Sequence, residues 1–395
     1  MREGWVETTL GELLKRSDVR QGSGPAGRVL TVSEQFGLVD QEEHMGRRLA
    51  TADTSKYKVV NEGDIVYNVY LLWKGAIGQS SFSETCVTSP VYEVFRPIGV
   101  VSPRILGMIL RSGFLRRDFD EISIGSIERR RRAPWKQFLE VKVALPPLHE
   151  QRRIVDLMDS VDAAVNAAQA EVETATNSRR TVFDGLVAAK GVELEWKPLG
   201  ETGTFRRGRR FTKADYVESG LPCIHYGQIH TDLGLRTFRS LTHLPESMSE
   251  KMRLAQPGDL VFAATSEDVD DLGKATVWLG GRPAAVHDDC QIFQHGMDPV
   301  FAAHLVDSFE FHRQKVVFAA GTKVTRISGN DLAKIVLPIP DRGTQCTIGQ
   351  IMGLHDDAIT AATAALDRLR SLRSSLLTCL LSGQHEIPES YDRFL

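Results

Sequence analysis

The strongest constraint on this chain is that its landmarks recur at a fixed separation. Leu145 to Val155 reads LPPLHEQRRIV, and Leu337 to Ile348 reads LPIPDRGTQCTI. Beyond the prolines, Gln151 answers Gln345, Ile154 answers Ile348, Met158 answers Met352, Asp162 answers Asp356 and Arg179 answers Arg373. Each pair lies 194 residues apart. One offset held through five positions predicts two related halves rather than one irregular domain. Earlier landmarks agree. Trp5 to Gly11 opens the first half and Trp196 to Gly200 the second, while Glu62-Gly-Asp-Ile-Val66 matches Pro257-Gly-Asp-Leu-Val261. Each of the latter reads as a Gly-Asp turn feeding a short apolar strand. Gly125-Ser126 precedes VKVALPPL and Gly321-Thr322 precedes KIVLPIP, two alternating strands that stop at proline, which cannot donate to a ladder.

After each proline pair comes an uninterrupted helical pattern. From Glu150 to about Ala189 there is no proline, and the only interior glycine is Gly185. Ile154, Val161, Ala168, Ala175 and Val182 mark a heptad stripe, backed by Met158, Val165, Val172 and Leu186. In the second copy Ile348, Ala362, Leu369 and Leu376 run beside Met352, Ile359, Leu366 and Leu380. This is coiled-coil spacing, and the alanines allow close approach, so the two helices are expected to pack on each other, antiparallel. His355 falls in that seam as a tolerated half-buried side chain. At 1.5 Å per residue, 35 to 40 residues span roughly 52–60 Å, about one and a half turns of B-DNA.

The order is therefore globule, long helix, globule, long helix. We place a first globule at 1–148, a central helix at 149–190, a second globule at 191–340, a C-terminal helix at 341–385 and a tail at 386–395. The fold class is α+β: two mixed α/β domains in pseudo-repeat, separated and joined by two long antiparallel coiled-coil helices. The globules mix short strands and Gly-rich turns with a few helices, near Ser102–Asp120 and Pro299–Val317. A length of 395 residues fits such a division. Five cysteines, odd in number and never in a C-x-x-C pair, argue against a disulfide framework or zinc ribbon. The opening MREGWVETTLGELLKRSD reads as no secretory signal, and no run of about 18 apolar residues occurs, so a soluble cytoplasmic protein is expected.

This pattern resembles the specificity (S) subunit of type I restriction–modification systems. The resemblance spans essentially the whole chain. It is carried by ALPPLHEQRRIVDLMDSVD with its helix, GTKVTRISGNDLAKIVLPIP, GRRFTKADYVESGLPCIHYGQIHTDLG and YKVVNEGDIVYNVYLLWKGAIGQ. It implies that each globule is a target-recognition domain reading one half of a bipartite, asymmetric DNA site. The helical spacer would set the gap and dock two methyltransferase (M) subunits, with restriction (R) subunits joining the larger complex in phage defence. The S subunit of that family has no catalytic centre. S-adenosylmethionine for DNA methylation, and ATP with Mg for restriction, would be bound by partner subunits and not by this chain. One departure is that PIPDRGTQCTIGQ lacks the arginine pair of PPLHEQRRIVD. The alternative reading is a stand-alone DNA-binding module of another defence complex.

A net charge of −3 gives no bulk preference for polyanions, but the basic residues cluster. Arg206, Arg207, Arg209, Arg210 and Lys213 form one run; Arg129, Arg130, Arg131 and Arg132 form another, with Arg116 and Arg117 nearby. Guanidinium forks match phosphate oxygens and the guanine O6/N7 edge, and most such groups position a domain rather than read bases. For base reading, the second globule offers His225, Tyr226, Gln228, Thr265, Ser266 and Glu267; the first offers Tyr67, Asn68, Lys74 and Tyr92. Lys323 and Arg326 are expected on phosphate. The helical seam is assigned to Ile154, Val161, Val165, Val172, Ile348, Met352, Ile359, Leu366, Leu369 and Leu376.

Enzyme signatures fail on context. Gly22 to Gly27 matches G-x-G-x-x-G but follows polar RSDVRQ and contains Pro25. No phosphate-binding G-x-x-x-x-G-K-[ST] and no N-P-P-Y or D-P-P-Y tetrad is present. Asp120 with Glu140 and Lys142 mimics nuclease spacing, yet EVKVAL reads as one strand. His225 with His230, and His287-Asp-Asp-Cys290, would need folding to assemble a metal site; no catalytic and no metal residues are assigned.

Overall fold

Proline ends a strand at the same point of both halves, and the partner of that strand explains why. In the computed structural model, which describes residues 4–24, 27–51, 53–99, 101–125, 131–268, 271–319 and 325–393, the strand Lys142–Leu145 pairs antiparallel with Val6–Thr9, Val6 opposite Leu145. In the second half Val336–Pro340 pairs antiparallel with Leu194–Pro198, Leu194 opposite Pro340. The chain thus closes each globule by laying its last strand on its first, in a two-stranded ribbon. Proline is tolerated there because a ribbon has outer edges that need no ladder donor.

Two compact units result: Met1–Ala167 with Leu366–Leu395, and Ala168–Ala365. Each takes part of both long helices, Leu148–Val187 and Arg342–Leu381. The start of the central helix lies with the end of the C-terminal helix in the first unit, and the converse holds in the second. The helices pack antiparallel, as the heptads predicted.

In the first unit a four-stranded antiparallel sheet runs in the order Leu14–Ser17, Glu93–Pro97, Ile65–Tyr67, Ile77–Gln79. A second sheet orders Gly37–Asp40, Val29–Ser33, Cys86–Thr88 and Lys58–Val60, with one parallel pair. Its main core joins Tyr67, Phe95, Phe119 and Phe138 to Ile154 and Met158 of the central helix and Leu377, Leu380 and Leu381 of the C-terminal one.

The second unit has a five-stranded sheet ordered Gly203–Arg207, Cys290–His295, Leu260–Ala263, Ala275–Trp278, Arg236–Thr237. A four-stranded sheet orders Thr242–Leu244, Leu221–Ile224, Ala284–Val286 and Leu254–Ala255. Here Phe183 and Val187 of the central helix share a core with Phe262, Phe293, Phe301 and Phe311, and with Ile348 and Met352. Of the seam, Ile154, Ile348, Met352 and Leu366 are buried, whereas Val161, Val165, Val172, Ile359, Leu369 and Leu376 are only half-buried. Of the buried four, Ile154 joins the first unit's core and Ile348 and Met352 the second's.

The repeated dipeptides perform repeated tasks. Gly63 and Gly258 both adopt positive φ (+81° and +98°), which an L side chain resists. The following Asp64 and Asp259 are buried and cap their own turns, accepting from the backbone N–H of Asn61 at 2.9 Å and of Gln256 at 2.8 Å. Gln151 and Gln345 make the same two bonds in their units. The amide of Gln151 donates to the Pro146 carbonyl at 2.9 Å, and its oxygen accepts from Ser102 N–H at 3.2 Å. Gln345 donates to Pro340 at 2.9 Å and accepts from Asp298 N–H at 3.1 Å. One glutamine thereby ties the proline, the start of the long helix and the start of a globule helix together.

Candidate nucleic-acid interface

In the second unit the expected contacts divide by local structure. Thr265–Ser266 pairs with Thr325–Arg326, so Thr265 lies opposite Arg326. With Arg207 these two line a cleft of about 330 Å³ whose walls also carry Asp288, Asp289 and Asp331. Arg207, at the end of the edge strand, is paired: its Nε donates to the Asp288 carbonyl at 2.6 Å and its Nη2 to the Asp288 carboxylate at 3.2 Å. Arg209 donates to the Lys251 carbonyl at 2.9 Å. By contrast Arg206, Arg210, Lys213 and Arg326 are exposed, with no ion pair or side-chain hydrogen bond among the described residues. These four can meet phosphate without first breaking a bond.

Tyr226 is open to solvent on a short helix, its ring edge-on to His230. His225 is half-buried against Tyr216 and Tyr226; burial, aided by His287 and Lys213, lowers its pKa and favours the neutral ring. Gln228 is not a reading group. It is buried, accepting from His225 N–H at 3.2 Å and donating to Thr242 at 3.1 Å. Ser266 is likewise buried, accepting from Asp268 N–H at 3.1 Å, whereas Glu267 beside it is exposed.

The first unit corrects two further expectations. Tyr67 belongs to the core: its ring packs 4.7 Å from Phe138 and its hydroxyl donates to the Ala133 carbonyl at 3.2 Å. Burial, with Glu93 adding to it, pushes the hydroxyl pKa far up, so Tyr67 is a neutral structural donor. Arg131 is a clamp rather than a free cation. Its guanidinium lies 4.8 Å from the Trp73 ring centre, donates to the carbonyls of Asp120 and Ser123, and pairs with the Asp120 carboxylate at 2.8 Å. That pair also accounts for Asp120, whose spacing to Glu140 imitated a nuclease. Asn68 accepts from Tyr70 N–H at 3.0 Å, Lys74 lies over Trp73, and Tyr92 bonds Thr31 at 3.2 Å. Arg132 is exposed; Arg129, Arg130 and Lys323 lie outside the described residues.

Folding does gather donor atoms of His287, Asp288 and Asp289 within 4.8 Å of one another. All three already have protein partners. His287 Nε2 lies 3.0 Å from the Phe211 carbonyl, Arg207 holds Asp288, and the Asp289 carboxylate lies 3.2 Å from His287 Nδ1. Cys290 is fully buried, and burial raises its thiol well above the usual range.

Sequence reasoning missed groups on the long helices. Ile351, Leu354 and Leu372 point outward, Leu354 with 72% of its surface open. Their signal was present, since they lie off the heptad stripe. Arg236 was also missed: it pairs with Asp356 at 2.9 Å and Asp357 at 2.7 Å, fixing the five-stranded sheet to the C-terminal helix of its unit. No helix among the described residues is long and apolar enough to cross a membrane.

No protein-family model matches this chain. It is 20% identical to the type I restriction enzyme MjaVIII specificity subunit of Methanocaldococcus jannaschii, over 97% of this chain and 93% of that one. Its fold is similar to a chain solved in a study of complex assembly and conformational transition of the type I R-M system, with TM-score 0.57, 17% identity and coverage of 96% and 98%. It is also similar to the type I restriction-modification S subunit from M. genitalium, with TM-score 0.55, 12% identity and coverage of 95% and 96%. The resemblance drawn from the repeated motifs, and the fold class, both stand.

Proposed function

We propose that this chain is the DNA sequence-specificity subunit of a type I restriction–modification complex. The observation that carries the reading is the likeness to a curated specificity subunit along nearly the whole of both chains. Each unit then reads one half of an asymmetric, bipartite site. Arg206, Arg210, Lys213 and Arg326, with Arg132 in the first unit, supply salt-sensitive attraction to phosphate. Tyr226, Thr265 and Glu267 test base edges in the second half. The helical pair sets the unspecified gap and docks two methyltransferase subunits, a role supported by the outward apolar side chains Ile351, Leu354 and Leu372. Restriction subunits complete the assembly in the cytoplasm.

The chain itself performs no bond-making step. Partner methyltransferases bind S-adenosylmethionine and take the target adenine out of the stack, while restriction uses ATP and Mg in other subunits. The test is to express the chain with its genomic methyltransferase partner in a methylation-free host and map N6-methyladenine. A single motif of two defined blocks around a fixed gap supports the reading. A continuous motif retains DNA recognition but removes the two-headed mechanism. Absence of methylation, with the partner active beside another specificity subunit, favours a module of a different defence complex.

A further inference from the structure

The two units differ at one matched place in a way that exposes an unfilled charge. Two globule helices begin at Pro103 and Pro299, and counting from those prolines sets Arg111 in the position of Asp307 and Arg116 in that of His312. On the long helices Arg373 holds the position of Arg179. In the second unit the arrangement is closed: the Asp307 carboxylate accepts from Arg179 at 3.2 Å and Arg180 at 3.0 Å, with His312 at 3.4 Å. In the first unit a guanidinium stands where that carboxylate would be.

Nothing among the described residues replaces the missing anion at Arg111. Arg373 and Arg104 share Asp162, and Arg104 also pairs with Asp159 at 2.8 Å. Among the described residues Arg111 has only neutral acceptors, the carbonyls of Ile77 at 3.0 Å and Gln35 at 2.8 Å. Burial, with Arg373 and Arg116 adding like charge, lowers its pKa.

These groups line a recess of about 310 Å³. Gly37 and Gly78 form part of its wall, where a side chain at Gly78 would collide with the backbone of Leu38. Ser80 also lines it; its hydroxyl is enclosed, on a residue 3% exposed, and has no hydrogen-bond partner among the described residues. A guanidinium with no carboxylate partner among the described residues, in a recess that Arg104 and Arg373 also line, matches a tetrahedral oxyanion. We propose that the Arg111 recess of the first unit binds a phosphate group, as the free ion or as the phosphate of a nucleotide. The recess is larger than one phosphate, and its wall at Gly78 leaves no room for a side chain, which favours a small ligand over a duplex backbone.

The test is calorimetric titration of the full chain, at fixed ionic strength in phosphate-free buffer, with inorganic phosphate and separately with a nucleoside triphosphate. The decisive variant is Arg111→Asp, which installs the carboxylate of the second unit and is expected to stay folded by pairing with Arg373. Arg111→Gln is the neutral control should the first variant misfold. Wild-type binding that weakens at least tenfold in either folded variant supports the proposal. Tighter binding of the nucleotide names it as the carrier, and equal binding names the free ion. No binding by wild type, or binding unchanged in the folded variants, overturns it. Arg111 dependence seen only with duplex DNA also overturns it and assigns Arg111 to the DNA surface.

Discussion

Asp162 on the central helix and Arg373 on the C-terminal helix form an ion pair, and the repeat relates them to Asp356 and Arg179, which have chosen other partners. In the first unit the pair ties helix to helix directly, with Arg104 of the globule joining at 3.0 Å. In the second, Asp356 turns to Arg236 and His304, and Arg179 to Asp307. The same two helix positions are thus used twice with different wiring. Removing Asp162 leaves two guanidinium groups facing each other. Asp162→Asn is expected to destabilise the first unit by on the order of 1–2 kcal/mol, between the values for exposed and buried pairs. Urea unfolding followed by probes in each unit should show only the first-unit transition moving.

Gln151 and Gln345 offer an internal comparison, since both are buried and make the same pair of backbone bonds. Replacing either by alanine strands a proline carbonyl and a backbone N–H. The expected loss is about 1–3 kcal/mol in the unit that carries the change. Similar losses for Gln151→Ala and Gln345→Ala, each in its own unit, would show that the glutamine is the common element of two otherwise different helix starts. A loss below measurement at both would remove that role.

The pH response of the second unit should carry a histidine signature. Burial lowers the His295 pKa to about 4, against the Met297 backbone, which favours the charged ring. An unfolded histidine titrates near 6.5, so between about 4 and 6.5 the unfolded chain binds the proton and the folded chain does not. Stability therefore falls as pH drops through that window, by up to about 3 kcal/mol at its lower end. Comparing urea midpoints at pH 7 and pH 5 tests this. The wild type should weaken at pH 5, and His295→Leu should lose most of that dependence.

What could be read beforehand was whatever repeats or carries a fixed spacing. The heptads located both long helices, and the Gly-Asp dipeptides located two turns whose positive φ and capping aspartates are the same. Side-chain direction on short strands was not legible. Ile65–Tyr67 is three residues long and covered on both faces, Ile65 and Tyr67 entering one core and Val66 another. No alternation survives such burial, so a core tyrosine looked like a surface reader. Arginine is ambiguous for a different reason. The run from Arg206 to Arg210 reads as one cluster, yet Arg207 and Arg209 are held by Asp288 and Lys251 far along the chain, while Arg206 and Arg210 have no such partner among the described residues. Only tertiary partners distinguish a positioning clamp from a free cation.

If the helical pair sets the gap between half-sites, lengthening it should lengthen the gap. One heptad added at matched points of both helices keeps the apolar stripe in phase and adds about 10.5 Å, the length of about three base pairs. Methylome mapping of that variant should show unchanged half-sites around a longer unspecified stretch. An unchanged gap would end the ruler reading.

The split among the arginines predicts a split in behaviour toward DNA. Arg210 and Arg326 are exposed and, among the described residues, unpaired, so Arg210→Ala and Arg326→Ala should leave folding intact. Each is expected to reduce the slope of log affinity against log salt by about one, with little change in sequence preference, as loss of a phosphate contact does. Arg131→Ala should behave oppositely. It breaks the Trp73 stack, three hydrogen bonds to two backbone carbonyls and the Asp120 pair, and should lower the stability of the first unit while leaving the salt slope unchanged in whatever remains folded. Measuring both quantities for all three variants separates the assignments. A large salt-slope change in Arg131→Ala with unchanged stability would return that residue to the DNA surface. An unchanged slope in both Arg210→Ala and Arg326→Ala would move the phosphate contacts elsewhere on the second unit.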